Sequence, residues 1–302
     1  ASIGQSATLE QVYVDMDTKS PLDPEQRGGI KARNLVRHHF DETKPLPALE
    51  AARRHRRLVL LGDPGGGKST FVKHLSAMQA GACLGEGQAL FDLSPQDLPI
   101  FILLRDLISG LAALPTTPCA PEEERERLVG VVLAYLRGEN AGSDKSKKGK
   151  GYVVPEPSAA ARAQVEALQS GGCFLVLDGL DEVPFGLRAP VRRMVQALLT
   201  LYAPKRVIVT CRTRSYDPKQ PLPDFAHHEL APLTPAQVKA FAAGWYRAMA
   251  ELDHVDSAEA GAKGQRLAAR VLRQELKGLA SNPMLLTVMA IVQTTKGVLP
   301  DA

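Results

Sequence analysis

No apolar run in the 302-residue chain approaches the ~18 residues that a helix needs to cross a bilayer, so an α-helical membrane span is excluded. The first residues are small and polar and lack the basic-then-apolar order of a secretory leader. Cysteine is scarce. Cys83, Cys119, Cys173 and Cys211 stand far apart with no CxxC pair, and they read as reduced, mostly buried thiols of a cytoplasmic protein, with neither a metal nor a disulfide. Aromatic residues make up 5% of the chain and the net charge is only +4, too little of either to indicate nucleic acid as the main partner. Internal repeats are absent as well. What remains is an ordinary globular composition, 44% hydrophobic and 23% charged. The length suits one large domain or a domain with a small appendage. Because the chain begins without Met and stops just after an apolar helix, it is expected to be a fragment of something longer.

The stretch that organises the chain is RLVLLGDPGGGKST, residues 57–70. A short apolar run breaks into a glycine-rich turn, and an amphipathic segment follows. The spacing is that of the G-x-x-x-x-G-K-[ST] phosphate loop, at Gly62, Gly67, Lys68 and Ser69. The chemistry explains the pattern. Glycines let backbone N–H groups curl round an anion with no Cβ in the way. The next helix adds unpaired N–H groups and a partial positive charge at its N-terminus. Lys68 is expected to reach the β- and γ-phosphates, and the Ser69 hydroxyl to ligate Mg²⁺. The nucleotide-contacting set is therefore Gly62, Asp63, Pro64, Gly65, Gly66, Gly67, Lys68, Ser69 and Thr70.

Residues 11–15 suggest a short strand or an extended arm, and 46–54 a short helix. The basic run 53–57 reads as a solvated helix end. After the loop, Phe71, Leu75 and Met78 share a helical face. Residues 100–104 form an apolar run expected to be a strand buried on both faces. Arg105 and Asp106 end it, and Arg105 either touches the ligand crevice or pairs with a carboxylate. Residues 122–137 and 159–169 read as helices, the first with its apolar stripe at Val129, Val132, Leu133 and Leu136. Residues 139–151 read as an exposed lysine-rich loop. Strands follow at 173–177 and 206–211, with a helix at 187–202 between them and a short edge strand at 228–230. This alternation predicts a parallel, doubly wound α/β sheet. Beyond Pro232 only helices remain, at about 235–252, 263–278 and 282–295, the first opened by a Thr234–Gln237 capping box. The expected domains are an arm and linker at 1–45, a nucleotide-binding domain at 46–231 and a helical domain at 232–302.

A second acidic site completes the chemistry. Asp178 ends the strand FLVLD, where a carboxylate can hold Mg²⁺. Many ATPases place a catalytic glutamate immediately after such an aspartate. Here that position is Gly179, so Asp181 orients the attacking water, with Glu182 as its rival. Arg212 ends the next strand, where a cation can sense the γ-phosphate, and Arg214 lies further into the loop.

These pieces together, GDPGGGKST, FLVLDGLDEV, VIVTCR, LAPLTPAQVKAFAAGWY and SNPMLLTVMAIV, resemble the NACHT family of STAND signal-transduction ATPases. The similarity runs from about Tyr13 to Gln293. The small Gly179, with acids at the third and fourth positions of the motif, is its most specific part. The resemblance implies a P-loop NTPase sheet of the ASCE, AAA+-like type with order 5-1-4-3-2, followed by the first helical domain of NACHT proteins. It implies ATP/ADP with Mg²⁺, and it matches Pro283 to a proline that packs on the adenine. Tyr13 resembles the arm that lies against the base. It further implies an ADP-bound resting state, ATP-driven self-association, slow hydrolysis, and effector and sensor domains in the full-length chain. A winged helix with a phosphate-contacting histidine is expected after the last residue. Alanine and arginine richness leans bacterial, where a defence role against phage suits the family. The rival readings are an AAA+-like turnover ATPase working on protein or nucleic acid, and a binding module for which nucleotide is only structural.

Overall fold

Strand and helix alternate from Arg57 to Glu229 because short β-branched and leucine-rich runs are separated by amphipathic stretches. The computed structural model describes residues 13–19, 46–139 and 156–296. In chain order the elements are α1 (Ala48–Arg54), β1 (Arg57–Gly62), α2 (Lys68–Cys83), β2 (Leu98–Leu103), α3 (Ile108–Ala112), α4 (Pro121–Leu136), α5 (Ala159–Gln169), β3 (Cys173–Asp178), α6 (Phe185–Leu201), β4 (Arg206–Arg212) and β5 (Ala226–Glu229). Four helices follow, α7 (Pro235–Glu251), α8 (Ser257–Val271), α9 (Gln274–Ala280) and α10 (Pro283–Lys296). The five parallel strands lie in the order β2-β3-β4-β1-β5, the order that the family resemblance implied.

The chain divides into two units. Among the described residues one gathers 13–19, 46–54, 60–74 and 227–296, and the other 55–59, 75–139 and 156–226. The first therefore holds the glycine-rich loop, the arm and the helices α7 to α10. The second holds the acidic motif and the Arg212 turn.

In the second unit, β3 is buried at every position and β4 at all but its last. Burying both faces selects near-continuous apolar runs such as CFLVL. The register sets Leu98 beside Cys173 and Leu103 beside Asp178, and Leu177 beside Val209. Three expectations need correction. β2 is an edge strand, with Ile100 and Ile102 buried and Phe101 half-buried, so it is covered more on one face than the other. Pro99 fits that edge, where a missing N–H leaves no ladder bond broken. In the helix after the loop, Met78 is 40% exposed and Gln79 is buried in its place. Gln79 is tolerated because its amide is satisfied, donating to the carbonyls of Ser94 (2.8 Å) and Asp97 (2.9 Å) and accepting from Leu90 N–H (3.0 Å). In the first unit, the expected helix 263–278 is two helices, α8 and α9. Asp256 caps the earlier start, accepting from Ala258 N–H, and an extended Arg273 separates the two.

Asp97, 2% exposed, is the anchor of this network. Its Oδ2 accepts from Ser94 N–H (2.6 Å), Ser94 Oγ (2.7 Å) and Lys205 Nζ (2.8 Å). Burial alone would raise its pKa, but the bonds from Lys205 and Ser94 outweigh burial and hold it below the ordinary carboxylate range. A depressed folded pKa contributes stability above the unfolded value of about 3.9, and that stability is lost as pH falls through the folded pKa. Lys205→Met is therefore expected to move the acid-unfolding midpoint to higher pH. Asp97→Asn should cost about 2–3 kcal/mol at neutral pH and flatten the acid limb. Unfolding curves taken from about pH 2 to pH 6 check both.

In the first unit the arm 13–19 is extended, with single bridges at Asp17–Pro47 and Thr18–Leu230 and no continuous strand. Thr18 N–H and its hydroxyl both donate to Leu46 O (2.7 and 2.8 Å), and Lys19 pairs with Glu229 (2.7 Å). The Thr234–Gln237 capping box forms as the spacing predicts. Its Gln237 amide also holds the arm, donating to Asp15 O (2.7 Å) and Asp17 Oδ2 (3.0 Å). The basic run ends α1 at Arg53 and Arg54. Arg54 pairs with Glu50, and in the other unit Arg56 with Asp92 and Arg57 with Asp224. The lysine-rich stretch lies outside the described residues beyond Glu139.

Candidate nucleotide site

β1 runs straight into the loop, and α2 begins at Lys68. This is the strand–loop–helix context that the motif requires. Gly66 N–H donates to Asp63 O (3.0 Å), which closes the turn. Gly67 has φ of 88°, a left-handed conformation that side chains resist. A Cβ there would lie 2.6 Å from Met16 Sδ and 3.6 Å from Pro283 Cγ. The arm and the start of α10 thus meet at one glycine of the loop. The Lys68 ammonium donates to Gly62 O (2.8 Å) and Asp63 O (3.1 Å). Phosphate oxygens are stronger acceptors for the same donors. Ser69 and Thr70 sit exposed in the first turn of α2.

Pro283 is the first residue of α10, and the Asn282 side chain caps that helix, accepting from Met284 N–H (3.1 Å) and Leu285 N–H (3.3 Å). Pro283 thus opens a helix, and its ring lies beside Gly67 of the loop. Tyr13 stacks on His74 of α2, with ring centroids 3.8 Å apart and 16° between planes. One of its faces is therefore taken by a protein ring. Burial, with the charge of Asp15 adding, pushes its phenol above the ordinary range. An open groove of about 550 Å³ lies beside the arm, walled by Tyr13 to Asp17 with Gln237, Gly244 and Arg247, and none of residues 62–70 lines it.

In the other unit, register builds the acidic site. Asp178 is 5% exposed at the end of β3, and Thr210 stands level with it on β4. Thr210 Oγ1 donates to Asp178 Oδ1 and accepts from Gly179 N–H (2.9 Å). That hydroxyl fixes the carboxylate and the turn behind it. Gly179 turns the chain left-handed, φ 86°, and starts the 3₁₀ turn Leu180–Glu182. Asp181, with its side chain 8% exposed, is fully engaged by one residue. Its Oδ2 pairs with Arg212 Nε (2.8 Å) and its Oδ1 accepts from Arg212 N–H (3.0 Å). Glu182 pairs with Arg105 Nη1 (3.0 Å), and Arg105 also lies 3.8 Å from Asp106. Of the two alternatives for Arg105 the carboxylate pairing is the one formed, and its nearer partner is Glu182 of the acidic motif. Arg188 of α6 ties the two loops, donating to the carbonyls of Val183 (3.1 Å), Asp181 (3.3 Å) and Ser215 (2.8 Å). Arg214 sits exposed in the turn after β4.

Sequence reasoning named Asp178, Asp181, Glu182 and Arg212 one by one. The structure adds that Asp181 and Arg212 are partners, and it adds Thr210, Arg188, Met16 and Asn282. The signal for Thr210 was available, a hydroxyl two residues before a strand-end arginine. The donor chemistry fits a nucleotide with Mg²⁺. The loop offers N–H groups and an ammonium to phosphate, while the Ser69 hydroxyl and the Asp178 carboxylate are hard oxygen donors of the kind Mg²⁺ takes.

A family model described as the NACHT domain matches residues 56–249, more than half of the chain. That match starts after Tyr13 and ends before Pro283. No curated protein matches the sequence.

Proposed function

Since the chain belongs to the NACHT domain family, and NACHT domains are P-loop NTPases that act as signalling switches, we propose that it is an ATP-driven switch with an ADP-bound resting state and slow hydrolysis. The observation that carries this reading is the Asp181–Arg212 pair. An acid whose two oxygens are both held by one arginine is poorly placed to take a proton, which favours slow turnover. The same arginine can exchange Asp181 for a γ-phosphate, which makes the pair sensitive to ATP over ADP.

The proposed roles follow. Residues 62–70 bind the phosphates, with Lys68 on the β- and γ-phosphates. Ser69 and Asp178 would hold Mg²⁺, which when bound would supply charge neutralisation. Asp181 orients the attacking water, with Glu182 as rival, and Arg212 senses the γ-phosphate. Pro283 supplies a flat apolar surface to the base. The arm that carries Tyr13 lies against the base. The working boundaries are 1–45, 46–231 and 232–302. ATP binding drives self-association, with effector and sensor domains in a longer polypeptide of cytoplasmic location, and a defence role against phage suits that design. Among the described residues no helix is long and apolar enough to cross a membrane.

Arg212→Ala tests the switch. The ratio of ATP to ADP affinity should shift toward ADP by about tenfold, one charge-assisted bond in size, as measured by competition titration. An unchanged ratio removes Arg212 from the sensor role. Steady ATPase activity stimulated by an added protein or nucleic acid would favour the turnover-enzyme reading instead.

A further inference from the structure

We propose that Asn282 braces the phosphate loop in its anion-binding shape and so couples the loop to the last helix. The proposal rests on the reading of residues 62–70 as the nucleotide site. A loop that turns its N–H groups inward to an anion turns carbonyls outward, and a protein donor that meets those carbonyls holds the loop's shape where water would leave it free to vary. Two of them, on Pro64 and Gly65, are met by the start of α10. Asn282 Nδ2 donates to Pro64 O (2.9 Å), and the Met284 N–H, shared with Asn282 Oδ1 (3.1 Å), also donates to Gly65 O (3.2 Å). The approach is close. A Cβ on Gly65 would lie 2.8 Å from Asn282 Oδ1 and 2.9 Å from Met284 Cβ.

The two ends of the Asn282 amide do different work. Oδ1 caps α10 through Met284 and Leu285, a task that Ser, Thr or Asp performs as well. Nδ2 reaches the loop, and an ionised Asp has no donor to replace it. The partners also fix the amide's orientation, because two N–H donors face one end and a carbonyl faces the other. The loop is therefore clasped by the same residue that starts the helix, with Pro283 beside it. A displacement of α10 pulls on Pro64 and Gly65, and a change in loop shape moves the helix start. That is a direct route from phosphate occupancy to the helical region.

The cap and the brace separate in Asn282→Asp, which is isosteric, keeps the cap and loses the donor. Asn282→Ser is the second probe of the same kind. Three quantities are measured on the full chain: melting temperature, amide hydrogen exchange across residues 62–70 without nucleotide, and the dissociation rate of fluorescent ADP. Both variants should melt near wild type, exchange faster in the loop, and release ADP about tenfold faster. Wild-type exchange and wild-type release in both variants would leave Asn282 as a helix cap and overturn the brace. Lys68→Ala is run beside them. If it too binds nucleotide like wild type, the site reading has failed, and the exchange measurement alone decides the brace.

Discussion

Lys68→Ala is expected to weaken ATP and ADP binding about 100-fold, with little change in melting temperature without ligand. The ammonium is the only side-chain cation in residues 57–70 beyond Arg57, and it sits at the first turn of α2 against the carbonyls of Gly62 and Asp63. Two charge-assisted bonds to phosphate account for the loss at about 1.5 kcal/mol each. Asp63 is exposed and the Lys68–Gly62 bond is only part-buried although Gly62 itself is buried, so water can reach the carbonyls left behind and the fold is largely spared. Isothermal titration with both nucleotides measures the effect. Undiminished affinity would mean that the loop is a turn and not a phosphate site.

Asp181→Ala should act on the other half of the chemistry. Single-turnover hydrolysis is expected to fall about 100-fold while ADP affinity changes little, because a group that orients water acts on the reaction, and ATP affinity should if anything rise, since Arg212 loses the carboxylate that competes with the γ-phosphate. Glu182→Gln should change the rate by only a few fold, since Glu182 is tied to Arg105 and is 39% exposed. The Asp181–Arg212 pair adds a sharper expectation. Two residues that act as one unit are strongly non-additive, so the double variant should be hardly slower than Asp181→Ala alone. If Asp181→Ala hydrolyses like wild type, Glu182 holds the role.

The loop was legible because its signal is contained in eight consecutive positions, and the acidic motif because five neighbours carry it. Strand order followed from resemblance, not from the alternation itself, which fixes only a parallel sheet. Pairings across the sheet were not legible. Thr210 reaches Asp178 through strand register, and Glu182 reaches Arg105 from a different strand end. Asn282 reads as a helix cap in any sequence, and its second bond depends on where a segment 218 positions earlier happens to lie. Met78 was misplaced because an apolar period cannot show that a buried amide, satisfied by Ser94, Asp97 and Leu90, holds the inward position beside it. The single helix expected at 263–278 missed the Asp256 cap and the extended Arg273 for a similar reason, since helical residues flank the break on both sides.

The most direct test of the switch is the nucleotide that stays on the purified protein, released by denaturation and identified by chromatography. The account predicts close to one ADP per chain, held by a site that releases product slowly. Protein that carries no nucleotide, exchanges it quickly and turns over briskly would contradict the account and favour an enzyme that works continuously.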